Sequence, residues 1–306
     1  MKNYRKFISS LRSSLSRKPS IADDVKDILQ KEGIREFAQD IRIMSRKQLI
    51  EHFSYKKNNK VNVTLLIKNL IWQAYTWIQQ GKIQPIDGNI RSFWYRHVKS
   101  VLSRLELKTS GNRFTDDVYG CFVKLRLLGL FRYVDFGFLD ERGHARVIGN
   151  KHGNLILFAE KDGLYGIIKK LALQYDITGI SLNGFPSYLT TEFLLRDMQR
   201  FGLLDKPLRL FSVVDYDPSG YWIEREFAAQ FRDLGTEVSS VTTLVNPREL
   251  PQELVELCKY KLKKDTQTQN WLIATGGIGS EAFGLEADAV GAGRIGEAVE
   301  RIVHTK

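Results

Sequence analysis

The chain has 306 residues, 43% hydrophobic and 26% charged, an ordinary globular composition that excludes a collagen-like or wholly disordered protein. Its 46 Lys and Arg against 35 Asp and Glu give a formal net charge of +11, unevenly spread: about +14 lies in residues 1–150 and about −3 in the remainder. Two cysteines, Cys121 and Cys258, exclude a disulfide framework and any Cys-rich metal site, and point to a reducing compartment, cytoplasmic or nucleoid-associated.

The basic start (Lys2, Arg5, Lys6, Arg12) leads into serines and an amphipathic stretch, not the apolar core of a signal peptide. Residues 21–29, 34–44 and 47–53 read as amphipathic helical pieces, followed by the polar run Lys56-Lys57-Asn58-Asn59-Lys60, which reads as a linker. Residues 1–60 are thus expected to be an N-terminal helical extension. Apolar residues return at helical spacing over 63–80, break at 81–88, and resume over 90–107 with Phe93, Trp94, Val98, Val101, Leu102 and Leu105. A third helical pattern, 116–128, stops at Gly129. The alternating run 131–139, a turn at 140–143 and the run 144–148 then predict a hairpin. Three helices and a hairpin predict a winged-helix domain of the CAP-like type over 61–150; the alternative is a helical domain with an unrelated hairpin. The positive excess falls on this half, so a polyanion such as double-stranded DNA is expected to meet it.

From Asn154 the rhythm changes. Short apolar runs at 155–159, 179–182, 208–214 and 238–244 alternate with helical patterns at 164–173, 188–201 and 222–231. That order predicts a mainly parallel sheet covered on both faces, an α/β domain over 151–306. No apolar run approaches the roughly 20 residues of a membrane span. In such sheets chemistry gathers beyond the carboxyl ends of the strands. Two of those ends carry acids: Glu160 follows one strand, and Asp215-Tyr216-Asp217-Pro218-Ser219-Gly220 follows another. Side chains alternate along an extended backbone, so Asp215 and Asp217 would share a side. Three carboxylates so gathered repel unless a cation lies among them, and hard oxygen ligands suit Mg²⁺, with Mn²⁺ as a substitute. The plainer reading is an Asp-rich turn with Ser219 capping the next helix.

These residues resemble the Toprim metal site. The stretch Leu182-Asn183-Gly184-Phe185-Pro186, followed by Thr190-Thr191-Glu192-Phe193-Leu194, is more specifically similar to the A subunit of topoisomerase VI and its meiotic double-strand-break relatives. In that family a winged-helix domain with a nucleophilic tyrosine precedes a Rossmann-like Toprim domain. Arg91-Ser92-Phe93-Trp94-Tyr95 resembles its Arg-x-x-aromatic-Tyr motif, with Ser92 replacing a frequent acid and Trp94 replacing the first Tyr. The segment Leu285-Glu286-Ala287-Asp288-Ala289-Val290 is similar to a Glu-containing segment near the family's C-terminus. The resemblance covers about residues 62–300. It implies a DNA topoisomerase A-like enzyme that cuts duplex DNA by Mg²⁺-dependent transesterification and leaves 5′-phosphotyrosyl ends. It further implies catalytic Tyr95, Arg91 and Glu160, metal ligands Glu160, Asp215 and Asp217, a homodimer, and a separate ATPase B subunit of the GHKL type.

A phenol with pKa near 10 is a weak nucleophile at neutral pH and needs a cation or base beside it. Arg91, one helical turn before Tyr95, offers that cation. Arg96, Lys99 and Arg104 surround the same helix as candidate DNA-phosphate contacts, or as a merely solvated face; His97 reads as a solvated helix residue. Gly291-Ala292-Gly293-Arg294-Ile295-Gly296 fits G-x-G-x-x-G, yet too little chain follows for a βαβ unit, and Gly276-Gly277-Ile278-Gly279 lacks the Lys of a P-loop. Two other functions fit the same residues. One is a Toprim nuclease that hydrolyses DNA with metal-activated water and leaves Tyr95 unused. The other is a non-catalytic DNA-binding subunit.

Overall fold

The computed structural model describes residues 25–55, 60–107, 109 and 114–304. The basic start and most of the polar run 56–60 lie outside the described residues. The chain forms two compact units, Met1–Leu139 and Asp140–Lys306. This division comes before the boundary expected at 150–151, because Arg146 and Val147 pair with a strand of the second unit.

The first unit is helical: α1 (Val25–Lys31), α2 (Arg46–Phe53), α3 (Val63–Gln79), α4 (Ile90–Phe93), α5 (Lys99–Arg104) and α6 (Gly120–Leu127). A π-helical turn, Trp94–Val98, joins α4 to α5, and another, Phe114–Tyr119, precedes α6. α3 is the centre, burying Leu66, Ile67, Leu70, Ile71, Trp72 and Ala74. Asn69 and Gln73, one turn apart on α3, are buried as well. Asn69 Oδ1 accepts from the Arg35 N–H at 2.9 Å, and Gln73 Oε1 accepts from the Ile41 N–H at 2.9 Å. Their amide nitrogens donate to the Leu65 carbonyl at 2.8 Å and the Gln39 carbonyl at 2.8 Å. The non-helical stretch 33–41 thereby finds partners for its backbone. Ile28, Ile34, Ile41, Met44, Leu49 and Phe53 are buried, so residues 25–55 belong to this core and are no detached extension.

The hairpin expected over 131–148 is not formed. Phe131, Tyr133, Phe136 and Phe138 are all buried in one aromatic cluster with Phe93 and Phe122. A continuous strand would send the 131/133 pair and the 136/138 pair to opposite faces. A 3₁₀ turn at Tyr133–Phe136 shifts the phase, so both pairs enter the same core. Each buried ring contributes about 1.5–3 kcal/mol, which outweighs the local preference for a strand.

The second unit holds a five-stranded sheet of β1 (Arg146–Val147), β2 (His152–Ala159), β3 (Ile177–Ser181), β4 (Leu208–Val213) and β5 (Val238–Thr243). The spatial order is β1-β3-β2-β4-β5, with β1 antiparallel and the other pairs parallel, as the alternating pattern predicts. Along β2, Leu155, Leu157 and Ala159 face one core with Ile168, Leu171 and Ala172 of α7 (Tyr165–Tyr175). Ile156 and Phe158 face the other core with Leu194 and Met198 of α8 (Tyr188–Arg200) and Phe227 of α9 (Pro218–Asp233). After β5 come α10 (Gln252–Cys258), β6 (Lys259–Lys261), α11 (Thr266–Thr275), β7 (Phe283–Leu285) and α12 (Ala292–His304). α12 covers the α7 face through Ile295 and Val299, and it starts inside the glycine-rich segment 291–296. β6 and β7 form a separate antiparallel ribbon. No helix among the described residues is long and apolar enough to cross a membrane.

Candidate functional site

β2 is the first of the parallel strands in sequence, yet it lies between β3 and β4. The strand order therefore reverses at the β2–β4 pair, where open α/β sheets leave a crevice beyond the carboxyl ends. Ala159 and Val213 are partners in register, and the Glu160 N–H donates to the Val213 carbonyl at 3.4 Å. Glu160 and the Asp215–Asp217 turn thus leave adjacent central strands side by side.

The turn is tighter than an extended continuation. The Asp217 N–H donates to the Asp215 carbonyl at 2.9 Å, and Tyr216 between them exchanges backbone hydrogen bonds with Leu285 at 2.8 and 3.2 Å. Asp217, not Ser219, caps α9: its Oδ1 accepts from the Gly220 N–H at 2.7 Å, with Pro218 in the first turn. Gly220 is required by close approach, since a Cβ there would stand 2.0 Å from the Asp215 carbonyl oxygen. Asp217 Oδ2 accepts from the Tyr260 hydroxyl at 3.1 Å. Asp215 Oδ1 accepts from the Ala287 N–H at 2.8 Å and pairs with Lys161 Nζ at 3.0 Å. Lys161 also reaches Glu286 at 2.5 Å and Asp288 at 3.0 Å.

Glu160 differs from both aspartates. Its Oε2 is buried with no hydrogen-bond partner. Burial, then the charges of Asp215 and Asp217, push its carboxyl up to about 7, against the weaker pull of Lys161. Burial also raises the Asp217 carboxyl above its ordinary range. Burial works against the Lys161 ammonium, but its bonds to Glu286, Asp288 and Asp215 outweigh that and raise it above its ordinary value. Burial, and then Asp217, raise the Tyr260 phenol, so at neutral pH it is a proton donor.

Among the described residues no three His, Cys, Asp or Glu side chains are grouped closely enough to hold an ion as they are placed. The cation seen between Asp215, Glu286 and Asp288 is the Lys161 ammonium. The donor set nevertheless fits a hard divalent cation by its chemistry: carboxylate oxygens at one strand-end crevice, mutual repulsion, and the orphaned Glu160 oxygen.

In the first unit, Tyr95 lies in the π-helical turn and is 54% exposed. π-turns inside α-helices occur often at functional sites. The helix is started by Asn89, whose side chain accepts from the Ser92 N–H at 2.8 Å, while Ser92 Oγ accepts from the Asn89 N–H at 3.4 Å. Ser92 thus closes a capping box. Arg91 is exposed one turn before Tyr95. The Lys99 ammonium stands 5.0 Å over the Tyr95 ring, a cation–π contact. Arg96 donates to the Ile86 carbonyl and Arg104 to the Arg42 carbonyl, so both guanidiniums carry structural bonds to the backbone. His97 is not solvated. It is 5% exposed and stacked on Phe93 at 4.6 Å, and burial pushes it down to about 4.

Lys161, Glu286, Asp288 and Tyr260 join the acids without having been singled out as site residues in the sequence. Lys161 had a signal, standing next to Glu160. Glu286 and Asp288 lie in a segment noted only for similarity, and Tyr260 had none. No family model matches the chain, and no curated protein matches it.

Proposed function

We propose that the chain is a DNA-cleaving enzyme resembling the A subunit of topoisomerase VI, with Tyr95 as nucleophile and a Toprim-like acid site of Glu160, Asp215 and Asp217. The observation that carries the reading is the convergence of Glu160 and the Asp215–Asp217 turn on the crevice where the strand order reverses, with one buried Glu160 oxygen left without a partner. Bound there, Mg²⁺ would supply Lewis-acid stabilisation of charge on the phosphate oxygens. Asp215 and Asp217, each oriented by protein donors, would hold it, and Glu160 would serve as ligand or as the acid–base group, since its carboxyl titrates near neutrality. Tyr95 Oη attacks phosphorus, the bond to the 3′ oxygen breaks, and the phenol proton is lost while the 3′ oxygen gains one. Arg91 and Lys99 supply positive charge beside the phenol. The 5′-phosphotyrosyl link preserves the phosphodiester's energy for resealing.

The basic bias of residues 1–150 supports DNA as the polyanion met there. The winged-helix assignment, the homodimer and an ATPase partner remain part of the proposed likeness. Trapping with denaturant after incubation with supercoiled DNA and Mg²⁺ tests the reading: DNA retained on protein is expected, and its absence alongside cut DNA selects hydrolysis. The second reading, a Toprim nuclease, needs only the acids and their supporting residues, all within Asp140–Lys306, and leaves Tyr95 unused.

A further inference from the structure

We propose that Tyr260 is a positioning residue of the acid site, orienting Asp217 so that the aspartate pair can take up a divalent cation. The inference rests on reading Glu160, Asp215 and Asp217 as cation ligands.

Tyr260 is the middle residue of β6, directly opposite Gly284 of β7. Its hydroxyl donates to Asp217 Oδ2 at 3.1 Å, while Asp217 Oδ1 is held by the Gly220 N–H at 2.7 Å. A carboxylate with each oxygen bound by a different fixed donor has one orientation and presents its remaining lone pairs in one direction. The tyrosine ring reaches this place across bare backbone. A Cβ on Gly284 would stand 2.7 Å from Tyr260 Cζ and 2.8 Å from its oxygen.

The ribbon is in turn pinned to the acid turn. Leu285 of β7 exchanges backbone hydrogen bonds with Tyr216, and the Ala287 N–H just beyond it binds Asp215 Oδ1. One ribbon therefore reaches both aspartates, one through a hydroxyl and the other through a main-chain amide. Packing of the ribbon through Leu285 and Phe283 needs no hydroxyl on Tyr260. The hydroxyl serves the carboxylate.

The test uses the full-length chain without DNA, with Mn²⁺ as the probe, followed by calorimetry and electron paramagnetic resonance; melting is recorded separately in chelator. Tyr260→Phe should weaken Mn²⁺ binding about tenfold or more, the usual cost of losing a group that orients a ligand. Its melting temperature in chelator should fall only slightly, because a single hydrogen bond is lost and the ring stays. Gly284→Ala should reproduce the weakening by displacing the ring, and the double variant should lose no more than Tyr260→Phe, since both act through one bond. Mn²⁺ affinity within twofold of the parent in both Tyr260→Phe and Gly284→Ala, with binding abolished in Asp217→Asn, overturns the role of Tyr260 and leaves the acid site standing. A parent protein that does not bind Mn²⁺, or binds it equally after Asp215→Asn and Asp217→Asn, overturns the acid-site reading and this inference together.

Discussion

Tyr95 and the acid triad contrast in how the chain holds them. Tyr95 stands on a helix surface, more than half exposed, with the Lys99 ammonium over its ring. Asp215 and Asp217 are instead gripped by Ala287, Lys161, Gly220 and Tyr260, groups drawn from β2's exit, α9 and the ribbon. On the proposed reading the difference has a physical reason. A nucleophile must meet a phosphate brought from outside, so it is presented, and carboxylates that hold a cation must be oriented beforehand. The support for Tyr95 lies below it, in the capping box, the buried His97 and the aromatic cluster. Four measurements would break or sharpen this contrast.

The largest expected effect is on chemistry. Tyr95→Phe should reduce denaturant-trapped DNA–protein adduct from readily seen to undetectable while leaving melting within error, because the exposed ring keeps its packing. Asp215→Asn should abolish adduct as well, but with altered melting, because the Lys161 and Ala287 bonds converge on that carboxylate. Equal adduct from Tyr95→Phe would place the nucleophile elsewhere and end the contrast as stated.

The second effect is acid sensitivity beneath Tyr95. His97 is held neutral in the folded state, with its value lowered from 6.5 to about 4, whereas the unfolded chain binds that proton from about pH 6.5 downward. The unfolded state therefore gains protons first, and stability falls as pH drops from 6.5 towards 4, by about 3 kcal/mol for this residue. His97→Phe should flatten that limb of the stability–pH curve; an unchanged limb would show that His97 is not the source.

Next comes the staple of the first unit. Gln73→Leu would leave the buried Ile41 N–H and the Gln39 carbonyl without their partner, at about 2–3 kcal/mol by chemical denaturation. A loss below about 0.5 kcal/mol would mean that residues 33–41 are not held as described.

The smallest effect lies in the second unit. Glu224 is buried on α9 and accepts from Ser212 and from Thr243, the latter at 2.6 Å, and burial raises its carboxyl. An acid whose folded value is raised contributes stability below its unfolded value and loses it as pH rises through the folded one. Glu224→Gln keeps the accepting oxygen, so it should raise the melting temperature at pH 8 and have no benefit at pH 4. Thermal melts at the two pH values decide it.

How much of this was legible depends on the element. The strands 155–159, 179–182 and 208–214 read correctly because a strand buried on both faces is a short apolar run between helical patterns, whereas 238–244, a largely exposed edge strand, read as one from its β-branched residues and its place after a helix. Glu160, Asp215 and Asp217 read as neighbours because a parallel sheet aligns its carboxyl ends. The run 131–139 misled because its aromatic alternation changes phase between Tyr133 and Phe136, a shift that only a shared core explains. His97 misled because a single histidine two residues from Tyr95 gives no sign of which face is buried, and the π-turn alters the facing. Asn69 and Gln73 carry no signal of their role in the sequence around them. Their partners are backbone groups more than thirty residues earlier.

The sequence by itself determined the parallel α/β half, the place of the three acids at strand ends, the basic bias of the first half and the helical character around Tyr95. These follow from local periodicity, from turn chemistry such as Pro218 and Gly220, and from charge counting, none of which needs distant contacts. Only the tertiary structure decided that the Lys161 ammonium sits among Asp215, Glu286 and Asp288, that Tyr260 holds Asp217, and that residues 131–139 fold into a core instead of a hairpin. Each of those joins residues far apart in the chain, where partner choice is set by burial and hydrogen-bond satisfaction in three dimensions and leaves no periodic trace in the sequence.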